Sequence, residues 1–321
     1  MPDVGCAGIL VEDTFCGPMA ALPASGSVLI LDDMPVRTGG CAANVAIDLT
    51  KQGIVADVIG CVGRDGGADL VVKTLRAHGV GCERVVSVTE QPTSKTVILL
   101  IDGQDRRYLH VPGANRAFTT EHIPRDWVSQ LKVFYLGGLF ALPGINLKKL
   151  AEFLGYCRSS NVLTVVDVVV PHSLRGMADL APLLPFIDVF VPNADEARAF
   201  TGVTDSFDQL TRFKEAGANT VIVTRGGEGV VAVEGEGIWH CGSYQMSVVD
   251  PSGSGDAFTS GVIRGLLQGW ELPMTLQYAS AVGASATRAA GTTDSVFSAL
   301  EAESFMKSHP LTVTEGPKRW M

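Results

Sequence analysis

The stretch VVDPSGSGDAFTSG, residues 248–261, interleaves Gly253 and Gly255 with Ser252 and Ser254 directly ahead of a run that reads as a helix. Free backbone N–H groups at a helix N-terminus point at an anion, so a loop of this kind cradles phosphate. Here it is bracketed by two carboxylates, Asp250 before it and Asp256 at its lip. A carboxylate in that place weakens the binding of a resting anion. It can, however, take the proton of a hydroxyl that attacks phosphorus, and phosphoryl transfer needs that base beside charge-stabilising donors. The residues that would carry the chemistry are Asp256 as base and the backbone of Gly253, Ser254 and Gly255 as the anion hole. The competing reading is that Ser254 or Asp256 merely caps a helix.

Other glycine-rich loops fit less well. A Walker A loop needs Lys after its last Gly, and Asp256 stands there. A dinucleotide fingerprint would need Gly at position 258, which is Phe258, and belongs in a first βαβ unit, so an oxidoreductase is disfavoured. The flanks of Ser252 and Ser254 do not match a nucleophile elbow. The six histidines show no metal-ligand spacing.

Such a loop has to be held by a scaffold. AANVAIDLTKQG carries apolar residues at 42, 45, 46 and 49 and closes on Gly53, and ADLVVKTLRAHG (68–79) repeats the helical pattern. KVFYLGG, VLTVVDVVV, IDVFVPN and NTVIVTRGG are apolar runs of the kind found in strands buried on both faces of a parallel sheet. Residues 256–269 and 273–289 read as the last two long helices. The alternation predicts an α/β fold, a doubly wound and mostly parallel sheet flanked by helices. Residues 14–38 break the rhythm. So do 93–111, two strands joined at Asp102-Gly103, a hairpin signal; together they predict a small β flap beside the main sheet. The tail TVTEGPKRWM reads as peripheral, with Trp320 free to pack.

Composition narrows the partners. The chain has 321 residues, 46% hydrophobic and 18% charged, enough for a large core. A net charge of -9 gives no electrostatic footprint for nucleic acid or anionic membrane. Seven scattered cysteines without a CxxC argue against a disulfide framework, no signal peptide is evident, and no run is long enough for a membrane span. A cytoplasmic setting is the expectation.

The loop resembles the second signature of the ribokinase-like (PfkB) carbohydrate kinase family, where Asp, two residues, Gly, one residue, Gly and Asp open the anion-hole helix. Further motifs follow in family order, from about residue 4 to residue 298. GILVED, with Gly8 and Asp13, is similar to the opening strand, whose Asp binds substrate hydroxyls. TGGCAANVA is similar to the first signature, in which Gly39, Gly40 and Asn44 would line the sugar pocket. VPGANRAF is similar to a segment that closes the lid region. NADE resembles the Asn-x-x-Glu motif, so Asn193 and Glu196 would steer Mg²⁺, Glu196 through water. VTRGGEG resembles the strand and turn that meet the nucleotide, with Thr224, Gly226 and Gly229 shaping its site.

The resemblance implies one ribokinase-like domain over 1–321, its lid formed by segments of about 14–38 and 93–117. It implies ATP-dependent transfer of the γ-phosphoryl group to a hydroxyl of a small sugar, and a homodimer in which flap edges pair. Potassium-using members hold the ion with the first Asp of this signature and a later loop. Asp250, Ser252, Gly291 and Ser295 stand in matching places for a monovalent cation such as K⁺. Two departures matter. Pro251 and Ser252 replace two Thr, and Gly137 and Gly138 stand where ribokinases often carry a sugar-orienting Glu, which leaves ribose open as substrate. The alternatives are a nucleoside kinase of the same family, with Phe15, Phe134, Tyr135 and Phe140 around a base, and a non-catalytic sugar or nucleotide sensor. An acid sugar is a further option, because alternation along DRRYLHV puts Arg106 and Arg107 on opposite faces of a strand.

Overall fold

A computed structural model describes residues 1–104, 106–170 and 176–316; Trp320 lies outside the described residues. The main sheet has nine strands: β1 (Val4–Gly8), β4 (Ala56–Ile59), β9 (Val133–Gly137), β10 (Leu163–Val166), β11 (Val189–Phe190), β12 (Thr220–Thr224), β13 (Val230–Glu234), β14 (Gly237–Cys241) and β15 (Val313–Glu315). Their spatial order is β15-β14-β13-β12-β11-β10-β9-β1-β4. From β12 to β4 the neighbours run parallel, and β13, β14 and β15 add an antiparallel edge. The tail is therefore not peripheral as expected. Val313 pairs with Cys241, and the β14 edge gains a ladder it would otherwise leave open.

The apolar runs owe their character to two-sided burial. Along β9, Phe134 and Leu136 enter one core while Val133 and Tyr135 enter the other, and all four are fully buried. The first core is closed by the helices Leu147–Ser159, Ala194–Thr201 and Ser206–Glu215, through Phe153, Phe200 and Phe213. The second is closed by Cys41–Lys51, Gly66–Ala77, Ser254–Gln268 and Leu272–Ala286. The expected doubly wound arrangement is what forms.

A separate four-stranded sheet, in the order β3-β2-β7-β8, is built from β2 (Val11–Met19), β3 (Val36–Gly39), β7 (Ser94–Ile101) and β8 (Arg107–Val111). β7 and β8 form the antiparallel hairpin that Asp102-Gly103 signalled, with Gly103 at φ 69. The first flap segment begins earlier than its Pro, Gly and Ser content suggests, since β2 starts at Val11, and no strand forms over residues 20–35. A short pair, β5 (Cys61–Val62) with β6 (Val86–Ser87), completes the strands among the described residues.

Candidate active site

In an open parallel sheet, ligands bind beyond the carboxyl ends of the strands. Here those ends carry Gly8 and Gly137, then Asp167 just after β10 and Asn193 just after β11. The helices Cys41–Lys51, Ala194–Thr201 and Ser254–Gln268 start at the same end, so their N-termini converge on one crevice.

Asp256 sits in the first turn of Ser254–Gln268 and is half-buried. The Asn44 side-chain amide donates to its carboxylate at 2.7 Å, and the Thr292 hydroxyl donates to the Asn44 carbonyl oxygen at 2.9 Å. The hydroxyl occupies the amide's acceptor end, which fixes the NH₂ toward Asp256. Burial raises the Asp256 carboxyl, against the lowering by Asn44, Cys41 and the Arg106 charge. The helix-cap reading does not hold. The N-cap is Gly253 at φ 76, no side chain caps the helix, and the Ser254 hydroxyl donates to the Pro251 carbonyl at 2.8 Å. An uncapped helix start leaves backbone donors for a ligand. The Ser254 N–H is the exception, turned to the Pro251 carbonyl at 3.3 Å.

Asp13 lies on β2 opposite β3. A Cβ on Gly39 would fall 1.7 Å from Asp13 Oδ2, so the carboxylate fits only because residue 39 has no side chain. Asp13 is buried, and that burial, with Asp256 nearby, pushes it up to about 7 despite a bond from Thr96. Gly40, at φ 92, precedes the helix that carries Asn44. The structure thus brings Asp13, Gly39, Gly40, Asn44 and Asp256 to one place.

Asp250 is wholly buried. It accepts from the Ser252 N–H at 2.9 Å and the Gly291 N–H at 3.1 Å, and the Ser252 hydroxyl oxygen is buried without a partner. Ser295 does not join them. Its hydroxyl donates to the Ser285 and Ala286 carbonyls, both at 2.9 Å, and its own carbonyl accepts from the Arg288 guanidinium at 2.6 Å. A carbonyl that faces a guanidinium is a poor ligand for a second cation.

Asn193 and Glu196 form a reciprocal capping box, each backbone N–H donating to the other's side chain at 2.9 Å. This is the local structural role the spacing allows, and it leaves both groups at the crevice. Burial, with Asp167 and Asp256 nearby, raises Glu196 to about 8. Thr224 bridges in parallel to Asn193, and Gly229, at φ 82, turns the chain beyond it. Gly226 opens the one-turn segment Gly226–Glu228 between them.

Several residues of the site were not picked out from the sequence. One oxygen of Asp167 accepts from the Tyr135 hydroxyl and the other from the Gly138 N–H at 2.5 Å. Cys41 sulfur and one oxygen each of Asp167 and Asp256 all lie within 4.8 Å of one another. The signal for Asp167 was present, a carboxylate interrupting an apolar strand run at its carboxyl end. The proposed aromatic base pocket does not form. Phe134 and Tyr135 are fully buried in the sheet, and Phe140 packs on Phe200 with ring centroids 5.4 Å apart. Phe15 lines a cavity of about 460 Å³, which it shares with Ile101, Arg106, Val249 and Pro251, and Phe140 lines a separate one of about 280 Å³ with Leu139 and Leu142. Arg107 is exposed, its guanidinium on Gln104 at 2.6 Å.

The family model "pfkB family carbohydrate kinase" matches residues 16–299. The chain is 26% identical over 267 residues to an ATP-dependent 6-phosphofructokinase of Thermoanaerobacterium thermosaccharolyticum, covering 79% of this chain and 80% of that one. It is 24% identical over 286 residues to an aminoimidazole riboside kinase of Salmonella typhimurium, covering 85% and 89%. Among solved structures, Arabidopsis thaliana ribokinase complexed with ribose and ATP superposes with a TM-score of 0.80 at 22% identity, covering 95% and 99%. An E. coli protein described as a ribokinase II in complex with ATP and Mg²⁺ gives 0.82 at 21%, covering 96% and 100%. The fold is ribokinase-like, and the protein is a phosphotransferase with an alcohol acceptor. The chain belongs to the pfkB family of carbohydrate kinases.

Proposed function

We propose that this protein transfers the γ-phosphoryl group of ATP to a hydroxyl of a small carbohydrate, with Asp256 as the general base. One observation carries the reading: a carboxylate held by Asn44 stands in the first turn of a helix that no side chain caps. In that arrangement Asp13 and Asn44 bind acceptor hydroxyls, the glycines at 39 and 40 leave room for the acceptor, and Asp256 receives its proton. The N–H groups of Gly253 and Gly255 face the charge that develops on the transferring group. Thr224, Gly226 and Gly229 contact the nucleotide. Asn193 and Glu196 would hold Mg²⁺, which would supply charge neutralisation at the phosphates. The test is ADP release with MgATP over ribose, fructose, 2-keto-3-deoxygluconate, adenosine and inositol. No release above background with any acceptor would overturn the reading. Preferential turnover of 2-keto-3-deoxygluconate, lost in Arg106→Ala, would select an acid acceptor, as the place of Arg106 at the cavity suggests.

A homodimer across the small sheet is part of the proposal, since β8 is exposed along its whole length, Tyr108, Leu109 and Val111 included. Sedimentation at micromolar concentration checks it.

The residues around Asp250 suit a weakly hydrated cation. The unpartnered Ser252 hydroxyl oxygen beside a wholly buried carboxylate offers two oxygen ligands. Such a cation would neutralise Asp250 and stiffen the adjoining anion hole. The expected result is a several-fold rise in kcat on replacing sodium by potassium at constant ionic strength, absent in Asp250→Ala. Equal rates in sodium, potassium and caesium would refute the cation site.

A further inference from the structure

We propose that Lys51 is a positioning residue for the transfer step: with Asp48 as its counter-charge, it pins the segment that fixes both Asn44 and Gly253. The effect on rate rests on the reading of Asp256 as the base. The segment lies between the helices Leu272–Ala286 and Ala299–Ser308. Its ends are tied by the Gly291 N–H to Asp250 and by the Ser295 hydroxyl to the Ser285 and Ala286 carbonyls. Its middle is gripped at two points from the helix Cys41–Lys51. The Thr292 hydroxyl donates to Asn44 at 2.9 Å, and the Lys51 ammonium donates to the Thr293 carbonyl, which also takes the Val296 N–H at 3.1 Å. Lys51 stands about two turns past Asn44, so both side chains leave the helix on one face.

Those two grips act beyond the segment itself. Asn44 holds Asp256 at 2.7 Å, and the Thr292 carbonyl lies so close to Gly253 that a Cβ there would fall 2.1 Å from its oxygen. A shift of Thr292 and Thr293 therefore moves the base and the anion hole together. A lone carbonyl is a weak reason for a half-buried ammonium to leave water, since lysine keeps its charged head solvated where it can. Asp48 supplies the stronger one. It lies one turn before Lys51 on the same face, is wholly buried, and neither of its carboxyl oxygens has a hydrogen-bond partner among the described residues. A buried carboxylate in that state needs a positive charge beside it. Burial pushes the Asp48 carboxyl well up, the Lys51 charge opposes that, and the Asp256 charge adds to it. An ammonium has three donors and the Thr293 carbonyl takes one, so a single Lys51 answers Asp48 and holds the segment at once.

The experiment is a double-mutant cycle on kcat, with MgATP and whichever of ribose, fructose, 2-keto-3-deoxygluconate, adenosine and inositol wild type turns over best. Lys51→Met should lower kcat about tenfold, the scale of one hydrogen bond from a charged group, with both KM values within about twofold of wild type. Lys51→Arg keeps the charge and should lose less than about threefold. Thr292→Val removes the hydroxyl on Asn44, and the double variant with Lys51→Met should fall no further than the worse single variant, because Lys51 acts through Thr292. Asp48→Asn should lower kcat while thermal stability holds or rises, a split that a merely structural pair does not give. Hydrogen exchange of the ligand-free protein reads the grip without activity: residues 290–296 should exchange faster in Lys51→Met and at the wild-type rate in Asp256→Asn. Wild-type kcat in Lys51→Met, equal losses in Lys51→Met and Lys51→Arg, additive losses in the cycle, or exchange unchanged by Lys51→Met overturns the proposal. Should Lys51→Met not fold, wild-type kcat and exchange in Asp48→Asn overturn it instead. Absence of ADP release from wild type with every acceptor would overturn the kinase reading, and the exchange result would still decide whether Lys51 pins the segment.

Discussion

Asp256→Asn is expected to lower kcat by roughly 10²–10⁴, the usual worth of a general base, with acceptor and nucleotide KM changed little. The substitution is close to isosteric, so the hydrogen bond with Asn44 is retained once one amide turns over. It removes a carboxyl whose charge is disfavoured by burial, so thermal stability should hold or rise. That combination separates chemistry from folding. A helix cap would behave the other way, costing about 1 kcal/mol of stability and little rate. Near-normal turnover in the variant, measured by ADP release, would sink the assignment of the base.

Gly253→Ala is expected to cost kcat roughly 10²–10³, comparable to the loss of an oxyanion-hole donor, together with about 1–3 kcal/mol of stability. Gly253 is at φ 76, and a Cβ there would fall 2.1 Å from the Thr292 carbonyl oxygen. The obstacle is backbone, so no side-chain rotation relieves it. Thr292 also donates to Asn44, and Asn44 holds Asp256, so a displaced loop disturbs the base as well as the donors beside it. Gly255 is a useful contrast. A Cβ there meets nothing within 4 Å, so Gly255→Ala should keep wild-type thermal stability. Wild-type kcat in Gly253→Ala would mean that the loop has no part in the transfer step.

What the sequence by itself determined is local. The hairpin at Asp102-Gly103 and the helix that closes before Gly53 need only a few neighbouring residues to adopt their geometry, and both formed where their residues lie. The same holds for the uncapped glycine turn ahead of Asp256, although its rival reading fell only when the Ser254 and Asp256 side chains were seen to bond elsewhere. Two-sided burial wrote the apolar runs, and with them the parallel sheet.

Only the tertiary structure decided which groups meet. Asn44 and Asp256 are 212 residues apart, Asn44 and Thr292 248, and Tyr135 and Asp167 32. Sheet order and helix placement set these meetings, and no local pattern encodes them. Strand period explains the aromatic error: FYL on β9 alternates between two cores, so Phe134 turns away from the crevice and Tyr135 reaches it only through its hydroxyl. The tail became β15 because a free sheet edge across the fold offered its hydrogen bonds, and nothing in residues 313–315 announces that partner. Ser295, in the expected place along the chain, was turned aside by Arg288 seven residues before it, since a side chain's partner depends on where the backbone carries it and not on spacing alone.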